Sequence, residues 1–221
     1  EARAVGVHVT FGPVVDVNSN PANPIINTRS FCEDPAQVAR LAVAYVRGTH
    51  EGGLLTTAKH FPGHGDTESD SHLDLPSIKA DRARLDSIEL VPYRSLVRQG
   101  VDGVMSVHIA VTGVEGNDAP PATLSSHFLT RVLREDLGFR GVVFTDAMNM
   151  GAVVKHYGAE EALVRSVAAG ADVLLMPLDV HQAVETLVAA VQSGRIAESR
   201  IDASVRRILA TKARSGLGSS R

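Results

Sequence analysis

The chain has 221 residues, of which 44% are hydrophobic and 21% are charged, a composition typical of a globular protein with one sizeable core. Its formal net charge is −3, and no block of like charges resembles a nucleic-acid-binding arm or a polybasic membrane patch. Cys32 is the single cysteine, which excludes a disulfide framework and a CxxC metal motif.

No apolar run approaches the roughly 20 residues of a transmembrane helix. The first residues, Glu1-Ala2-Arg3-Ala4, lack an initiator Met and do not form a signal peptide. We therefore expect a chain that was processed or cut from something longer, with its N-terminal targeting information absent. The compartment, cytoplasmic or cell envelope and secreted, stays open.

Apolar, β-branched runs alternate with amphipathic patterns of helical spacing. In chain order, the predicted elements are a strand at Val5–Val17, a helix that begins at Asp34-Pro35, a strand at Leu54–Lys59, a helix that begins at Asp86-Ser87 and runs through Val97, a strand at Gly103–Val107, a helix that begins at Ser125 or Ser126 and stops at Gly138, a strand at Gly141–Thr145, a helix at about Glu160–Ala169, a strand at Asp172–Met176, and helices at about Val180–Gln192 and Ile201–Ala213. The segment from Ser215 to Ser220 resembles a linker or frayed end. We therefore predict one domain at 1–214 and a tail at 215–221.

Strands that alternate with helices predict a parallel sheet, either doubly wound or part of a (β/α)8 barrel. Polar or ionisable residues recur at the C-terminal ends of four successive predicted strands, namely Asp16, Lys59-His60, His108 and Asp146. Catalytic residues at several strand ends are typical of a barrel, whereas a doubly wound sheet gathers its ligand groups at one switch point. The sequence contains no GxGxxG motif after the first strand and no P-loop, so nothing supports nucleotide binding.

The most informative segment is KHFPGHGDTESDSHLD at 59–74, which follows the second predicted strand. It combines three histidines with three aspartates in a stretch broken by Gly and Pro: His60, His64, His72, Asp66, Asp70 and Asp74. A solvated polar loop is the ordinary explanation. The density of titratable groups and the position after a strand favour an active site instead.

Asp146 ends the apolar strand GVVFTDAM, where a carboxylate is expensive to bury unless it is paired or functional. It could be a nucleophile, a general base or a metal ligand, and the structural alternative is an N-cap for the next helix. Because that helix is predicted to begin near Ala159, some residues later, we favour a functional role.

Asp70 and His72 lie two residues apart, so in an extended loop they project to the same side. A carboxylate beside an imidazole fixes its tautomer and would make a proton shuttle, although a chance surface pair fits the spacing equally well. Lys59 and Arg29 are donors able to hold hydroxyls or a carboxylate, but each alone is more often a surface charge. His108 has no obvious partner in the sequence and fits a structural role as well.

Three segments, KHFPGHGDTESDSH, NTRSFCEDP and GVVFTDAMNM, resemble glycoside hydrolase family 3, and the bacterial β-N-acetylglucosaminidases of that family most closely. The resemblance runs from FGPVVDVN at 11–18 to Arg207-Ile208-Leu209. It implies a (β/α)8 TIM-type barrel and a retaining exo-β-N-acetylglucosaminidase that needs no cofactor and no metal. The implied substrates are carbohydrates with terminal β-linked N-acetylglucosamine, such as peptidoglycan fragments.

The resemblance also implies a role for each matching residue. Asp146 aligns with the catalytic nucleophile, His72 with the acid/base and Asp70 with its orienting carboxylate. Arg29, Lys59 and His60 align with the residues that hold the sugar beside the cleaved bond. The intact Asp70-Ser71-His72 favours the N-acetylglucosaminidase branch over the β-glucosidases, which generally take their acid/base from elsewhere.

The resemblance further implies that the barrel is incomplete. Barrels of this family begin with strands that are absent here, one of which ends in an Asp-Gln-Glu-Gly-Gly-like motif that binds sugar hydroxyls. A typical barrel takes roughly 250 residues. We therefore expect the first strands, and any C-terminal domain of longer relatives, to be missing. We also expect exposed sheet edges to leave the chain aggregation-prone, poorly folded or dependent on self-association.

Three alternatives stay open. The chain could be a β-glucosidase-type member of the family. It could be a metal-dependent hydrolase with His60, His64, Asp66 and His72 as ligands, although their spacing does not match HExxH. It could also be an inactive barrel fragment that only binds sugar.

Overall fold

The computed structural model of the chain describes residues 1–67 and 75–217. The strands are β1 (Val9–Thr10), β2 (Leu55–Phe61), β3 (Ser77–Ile78), β4 (Gly103–Ser106), β5 (Ala110–Val111), β6 (Val142–Ala147) and β7 (Val173–Leu175). The α-helices are α1 (Pro35–Glu51), α2 (Arg82–Ser87), α3 (Leu90–Gln99), α4 (Thr112–Glu115), α5 (Gly151–Tyr157), α6 (Ala159–Ala169), α7 (Val180–Gln192) and α8 (Glu198–Arg214). Short 3-10 turns cover Ala2–Val5, Asn27–Arg29 and Ala122–Leu124, and a π-helical segment covers His127–Asp136.

Five of the described strands form one parallel sheet in the order β1-β2-β4-β6-β7. Each strand is added on the same side of the one before it, so the order never reverses. A doubly wound sheet reverses its strand order at a switch point, whereas a barrel winds in one direction. The sheet is therefore the open, incomplete form of a barrel, with β1 and β7 at its edges. A separate pair joins β3 to β5.

The core lies between the sheet and the helices that follow its strands. All four residues of β4 are buried, as expected for the central strand of a sheet covered on both faces. The aromatic rings of Phe61 and Tyr93 meet edge to face with centroids 5.1 Å apart, which joins β2 to α3. No helix in the described ranges is long and apolar enough to cross a membrane.

The structure corrects the first predicted strand, Val5–Val17. Residues Ala2–Val5 form a 3-10 turn that ends at Gly6 with φ of 91°, and only Val9–Thr10 pairs as a strand. Pro13 interrupts the ladder because it has no N–H to donate. Pairing resumes as a single bridge between Val14 and Lys59.

Two helix predictions are also corrected. Asp86 and Ser87 end the short helix α2, which begins after the cap Asp81, and α3 begins at Leu90. The segment after β6, predicted to stay irregular until Ala159, contains the additional helix α5. No side chain caps α5, so the sequence carried no signal for its start.

Candidate active site

Four of the six predicted site residues lie in the described part of the chain and surround one cavity. Lys59 and His60 lie at the end of β2, Asp146 lies near the end of β6, and Arg29 ends the turn Asn27–Arg29. Because β2 and β6 both flank β4 in a parallel sheet, their C-terminal ends lie at the same edge. The cavity measures about 120 Å³ and is lined by Ile25, Arg29, Lys59, His60, His64, Met105 and Asp146.

Lys59 and His60 are consecutive, yet both line the cavity. Successive side chains of a regular strand point to opposite faces. The register of β2 against β4 shifts between Lys59 and Phe61, so the alternation breaks at the end of the strand. Irregularities of this kind redirect side chains next to active sites.

Asp16 is the buried acceptor that holds His60 and His64 in place. Its carboxylate is 1% exposed and accepts hydrogen bonds from His60 Nδ1 at 2.7 Å, from the His64 backbone N–H at 2.7 Å and from the His60 backbone N–H at 3.2 Å. Burial alone would raise the pKa of Asp16, but the charge and hydrogen bond of His60, together with His64, hold it below its ordinary value. Asp16 is therefore an ionised anchor for both histidines.

The contacts of His60 select one tautomer. Nδ1 faces the Asp16 carboxylate, which only accepts, so Nδ1 carries a proton. Nε2 lies 3.4 Å from Arg29 Nη2, which only donates, so Nε2 is an acceptor in this arrangement. Asp16 thus sets which nitrogen of His60 faces the cavity.

A second buried network orients His64. Its Nδ1 lies 2.7 Å from Thr67 Oγ1, which donates its own proton to the His64 carbonyl at 3.1 Å and accepts a longer bond from Asn23. Thr67 therefore receives the Nδ1 proton of His64. Burial lowers the pKa of His64, which favours the neutral ring at pH 7.

Asp146 is held at the cavity by the backbone around it. Its side chain is partly exposed, and Oδ1 accepts a hydrogen bond from the N–H of Ala147 at 2.8 Å. The residue before α5 is Met150, so Asp146 does not cap that helix. His108, fully buried at the end of β4, lies 3.0 Å from the Ala147 carbonyl through Nε2. His108 thereby braces the backbone next to Asp146.

Lys59 supplies a second positive charge beside Arg29. Burial and the nearby Arg29 charge lower the pKa of Lys59, while the carboxylates of Asp146 and Asp16 oppose that change. Among the described residues, two cationic donors and one carboxylate therefore face the same small space. Such a set can hold the hydroxyls of a neutral sugar while Asp146 stays available for chemistry.

Asp70 and His72, the predicted orienting carboxylate and acid/base, lie outside the described residues. The alternative metal set also includes His72. Of its other members, His60 and His64 line the same cavity with ring centroids 6.0 Å apart, but their Nδ1 atoms face Asp16 and Thr67. Asp66 pairs instead with Arg84 at 3.0 Å. Within 1–67 and 75–217, no three His, Cys, Asp or Glu side chains are grouped to hold a metal ion.

A larger hollow of about 860 Å³ lies between α6 and α7, away from the strand ends. Its carboxylates are Glu160 and Glu185, which are exposed, and Glu161, which pairs with Arg195. Exposed or paired carboxylates on helices lack the buried partners that tune an active site. Volume alone is therefore a poor guide to the site here.

No catalytic or sugar-binding role was predicted from the sequence for Asp16, His64 or His108. Asp16 lies at the C-terminal end of the first predicted strand and His108 follows the third, which was a positional signal. Their partners lie 44 and 39 residues away, in segments that meet only in the folded chain. Their positioning roles therefore needed the three-dimensional structure.

The family described as "Glycosyl hydrolase family 3 N terminal domain" matches residues 1–211, and the chain therefore belongs to glycoside hydrolase family 3. A glycoside hydrolase family 3 β-N-acetylglucosaminidase from Paenibacillus sp. str. FPU-7 superposes with a TM-score of 0.95 at 45% identity, covering 100% of this chain and 42% of that one. The predicted family and the incomplete (β/α) barrel are both confirmed by these matches.

Two curated relatives match almost the whole chain. The chain is 34% identical to the protein named "Beta-hexosaminidase A" of Pseudoalteromonas piscicida, over 96% of this chain and 39% of the relative. It is 36% identical to the "Beta-N-acetylglucosaminidase/beta-glucosidase" of Cellulomonas fimi, over 98% of this chain and 40% of the relative. The chain thus spans about two fifths of the length of these two relatives.

Proposed function

We propose that the protein to which this chain belongs is a retaining exo-β-N-acetylglucosaminidase. The observation that carries the proposal is the meeting of Asp146, Lys59, Arg29 and His60 around one cavity at the C-terminal edge of the sheet. This arrangement matches the roles that the family resemblance implies for the same residues. The names of the relatives from Paenibacillus and Pseudoalteromonas support the substrate class.

In the proposed first step, a carboxylate oxygen of Asp146 attacks the anomeric carbon and the bond to the leaving oxygen breaks. His72, oriented by Asp70, donates its proton to that oxygen. In the second step, His72 takes a proton from water, the water oxygen attacks the anomeric carbon, and Asp146 is released. Two displacements at one carbon retain its configuration.

The remaining residues hold the sugar. Arg29 and Lys59 donate hydrogen bonds to its hydroxyl oxygens, and His60 Nε2 accepts from a hydroxyl once a bound sugar displaces its long contact with Arg29. Asp16 keeps His60 in the tautomer that this contact needs. The natural substrates we propose are glycans with terminal β-linked N-acetylglucosamine, such as peptidoglycan fragments.

The experiment compares chromogenic β-N-acetylglucosaminide and β-glucoside as substrates of the wild type and of Asp146→Asn. We expect turnover of the N-acetylglucosaminide, release of the β-anomer at first in proton NMR, and loss of turnover in the variant. Initial release of the α-anomer, or turnover that EDTA abolishes and zinc restores, would contradict the proposal.

A β-glucosidase-type activity is the second candidate, because the Cellulomonas fimi relative carries both activities in its name. The same assay separates the two. A kcat/KM for the glucoside that equals or exceeds the value for the N-acetylglucosaminide would favour the second candidate. No turnover of either by the chain, with turnover by the longer protein, would show that this segment alone is inactive.

A further inference from the structure

A second cavity lies at the opposite edge of the sheet, where β4 and β6 begin. It measures about 440 Å³, within the range of about 300–1,000 Å³ typical of small-molecule sites. We call it the arginine cavity and define it by Arg140, Arg206, Arg207 and Arg214 with the apolar side chains of Val97 and Phe139. None of the described residues that line it is an Asp or Glu. The proposed nucleophile Asp146 lies near the other end of β6.

Two of these arginines are held in place by buried carboxylates. Arg207 Nη1 lies 3.1 Å from Asp172 Oδ1, and Arg214 Nη1 lies 2.9 Å from Asp102 Oδ1. The side chains of Asp172 and Asp102 are only 0% and 3% exposed. Both guanidinium groups are therefore fixed before any ligand arrives, which lowers the entropic cost of binding.

Positive charge exceeds negative charge around this cavity. Asp172 already bonds to Arg134 at 2.6 Å and to Arg200 at 3.2 Å, so three arginines share one carboxylate. Burial, together with the charges of Arg207 and Arg200, lowers the pKa of Arg134 to about 10, although the Asp172 carboxylate opposes that change. Asp102 likewise accepts from His50 at 2.7 Å in addition to Arg214.

The other two arginines have little to neutralise them. Arg140 is exposed and makes no side-chain hydrogen bond or ion pair with any residue in the described ranges. Arg206 lies 3.7 Å from Asp202, and both side chains are mostly exposed. An exposed pair at that distance contributes little. These guanidinium groups are thus available to an incoming anion.

Guanidinium groups bind phosphate through paired, charge-assisted hydrogen bonds, and a dianion gains most from a surplus of positive charge. The apolar side chains of Val97 and Phe139 line the same cavity and suit an organic body. We propose that the arginine cavity binds a small organic molecule that carries a phosphate group. The proposal does not depend on the proposed glycosidase activity.

The test is isothermal titration calorimetry of the protein with phenylphosphonate, inorganic phosphate and phenol, at constant ionic strength set with potassium chloride. Saturable binding of phenylphosphonate, tighter than that of inorganic phosphate and absent for phenol, is expected. Arg140→Gln combined with Arg206→Gln should weaken binding by about ten-fold or more, since each change removes a charge-assisted contact. Neither Arg140 nor Arg206 anchors a buried carboxylate, so the double variant should fold, as circular dichroism will verify.

Arg131→Gln is the matched control, because Arg131 is another exposed arginine and lies outside the cavity lining. It should bind phenylphosphonate like the wild type. Absence of saturable binding, equal binding by the double variant, or equal weakening by Arg131→Gln would overturn the proposal. Competition by N-acetylglucosamine would overturn it too, because the anion would then occupy the sugar site.

Discussion

Asp16→Asn exchanges one oxygen of the buried anchor for an NH2 group without changing its size. The Asp16 carboxylate receives three donors, namely His60 Nδ1 and the two backbone N–H groups of His60 and His64. An asparagine oxygen can keep the His64 N–H at 2.7 Å, which leaves the new NH2 facing His60 Nδ1. His60 then shifts its proton to Nε2 so that Nδ1 can accept.

The size of the expected change in the free energy of unfolding follows from the hydrogen bond that the substitution removes. One charge-assisted hydrogen bond disappears, which is worth about 1.5–3 kcal/mol, and the tautomer change limits further cost. We expect the free energy of unfolding to fall by about 1–3 kcal/mol in urea denaturation. With Nε2 protonated, His60 faces the Arg29 donor at 3.4 Å and no longer accepts from substrate. The loss of one substrate hydrogen bond lowers kcat/KM by about 10–100-fold.

The stability difference also depends on pH. Because the pKa of Asp16 is held below 3.8 in the folded protein, the ionised form stabilises the fold above that value. The contribution is lost as the pH falls through the folded pKa. The gap in stability between wild type and Asp16→Asn should therefore be constant near neutral pH and narrow below about pH 4.

The kinetic assay uses the chromogenic N-acetylglucosaminide and adds His60→Ala and the double variant. Because Asp16 acts on substrate through His60, the two changes should be non-additive, with the double variant close to His60→Ala alone. Additive losses in kcat/KM would refute the tautomer argument. Wild-type stability of Asp16→Asn would refute its role as an anchor.

The other predictions concern the acid/base, the Asp172 cluster and the exposed helix face. His72→Ala should slow substrates with poor leaving groups far more than activated aryl glycosides, because only the former need the proton; equal losses in steady-state kinetics would remove His72 from that role. Asp172→Asn should cost about 3–5 kcal/mol in urea denaturation, since it removes the carboxylate that three buried or half-buried arginines share; a cost below about 1 kcal/mol, the value of a surface pair, would contradict this. The exposed valines Val180, Val184 and Val188 form a stripe on α7, the helix that follows the edge strand β7, so the 221-residue chain should self-associate in light scattering; a monomeric chain, or self-association that Val184→Lys leaves unchanged, would argue against it.

The helices and central strands were predictable because their signals are local. Asp34 accepts from the Gln37 N–H and Pro35 follows it, as the sequence indicated for the start of α1. Apolar runs without alternation marked β4 and β6 as buried on both faces. Helix α7 has the predicted bounds, Val180–Gln192.

The first strand and helix α5 were not predictable from such signals. Val14 and Val15 look like strand residues, but Pro13 removes a donor and leaves one bridge. Helix α5 begins at Gly151 without a capping side chain. Its place is set by packing of Val153 against Met148 and Leu163, which no local pattern encodes.

Some residues of the candidate site were likewise predictable from the sequence, and others were not. Lys59, His60 and Asp146 were predictable because each directly follows an apolar run, and strand ends meet at one edge of a parallel sheet. The anchoring by Asp16 depends on a contact across 44 residues. Its position at the end of a predicted strand was a weak signal, and only the folded geometry shows that it serves His60 and His64 together.

The central claim is that Asp146 forms a covalent bond to the sugar. The direct measurement is mass spectrometry of peptides after the protein is incubated with a slow fluorinated N-acetylglucosaminide and quenched in acid. We expect one added sugar on the peptide that contains Asp146, and no label in Asp146→Asn. A label on another residue, or continued turnover by Asp146→Asn without any label, would contradict it.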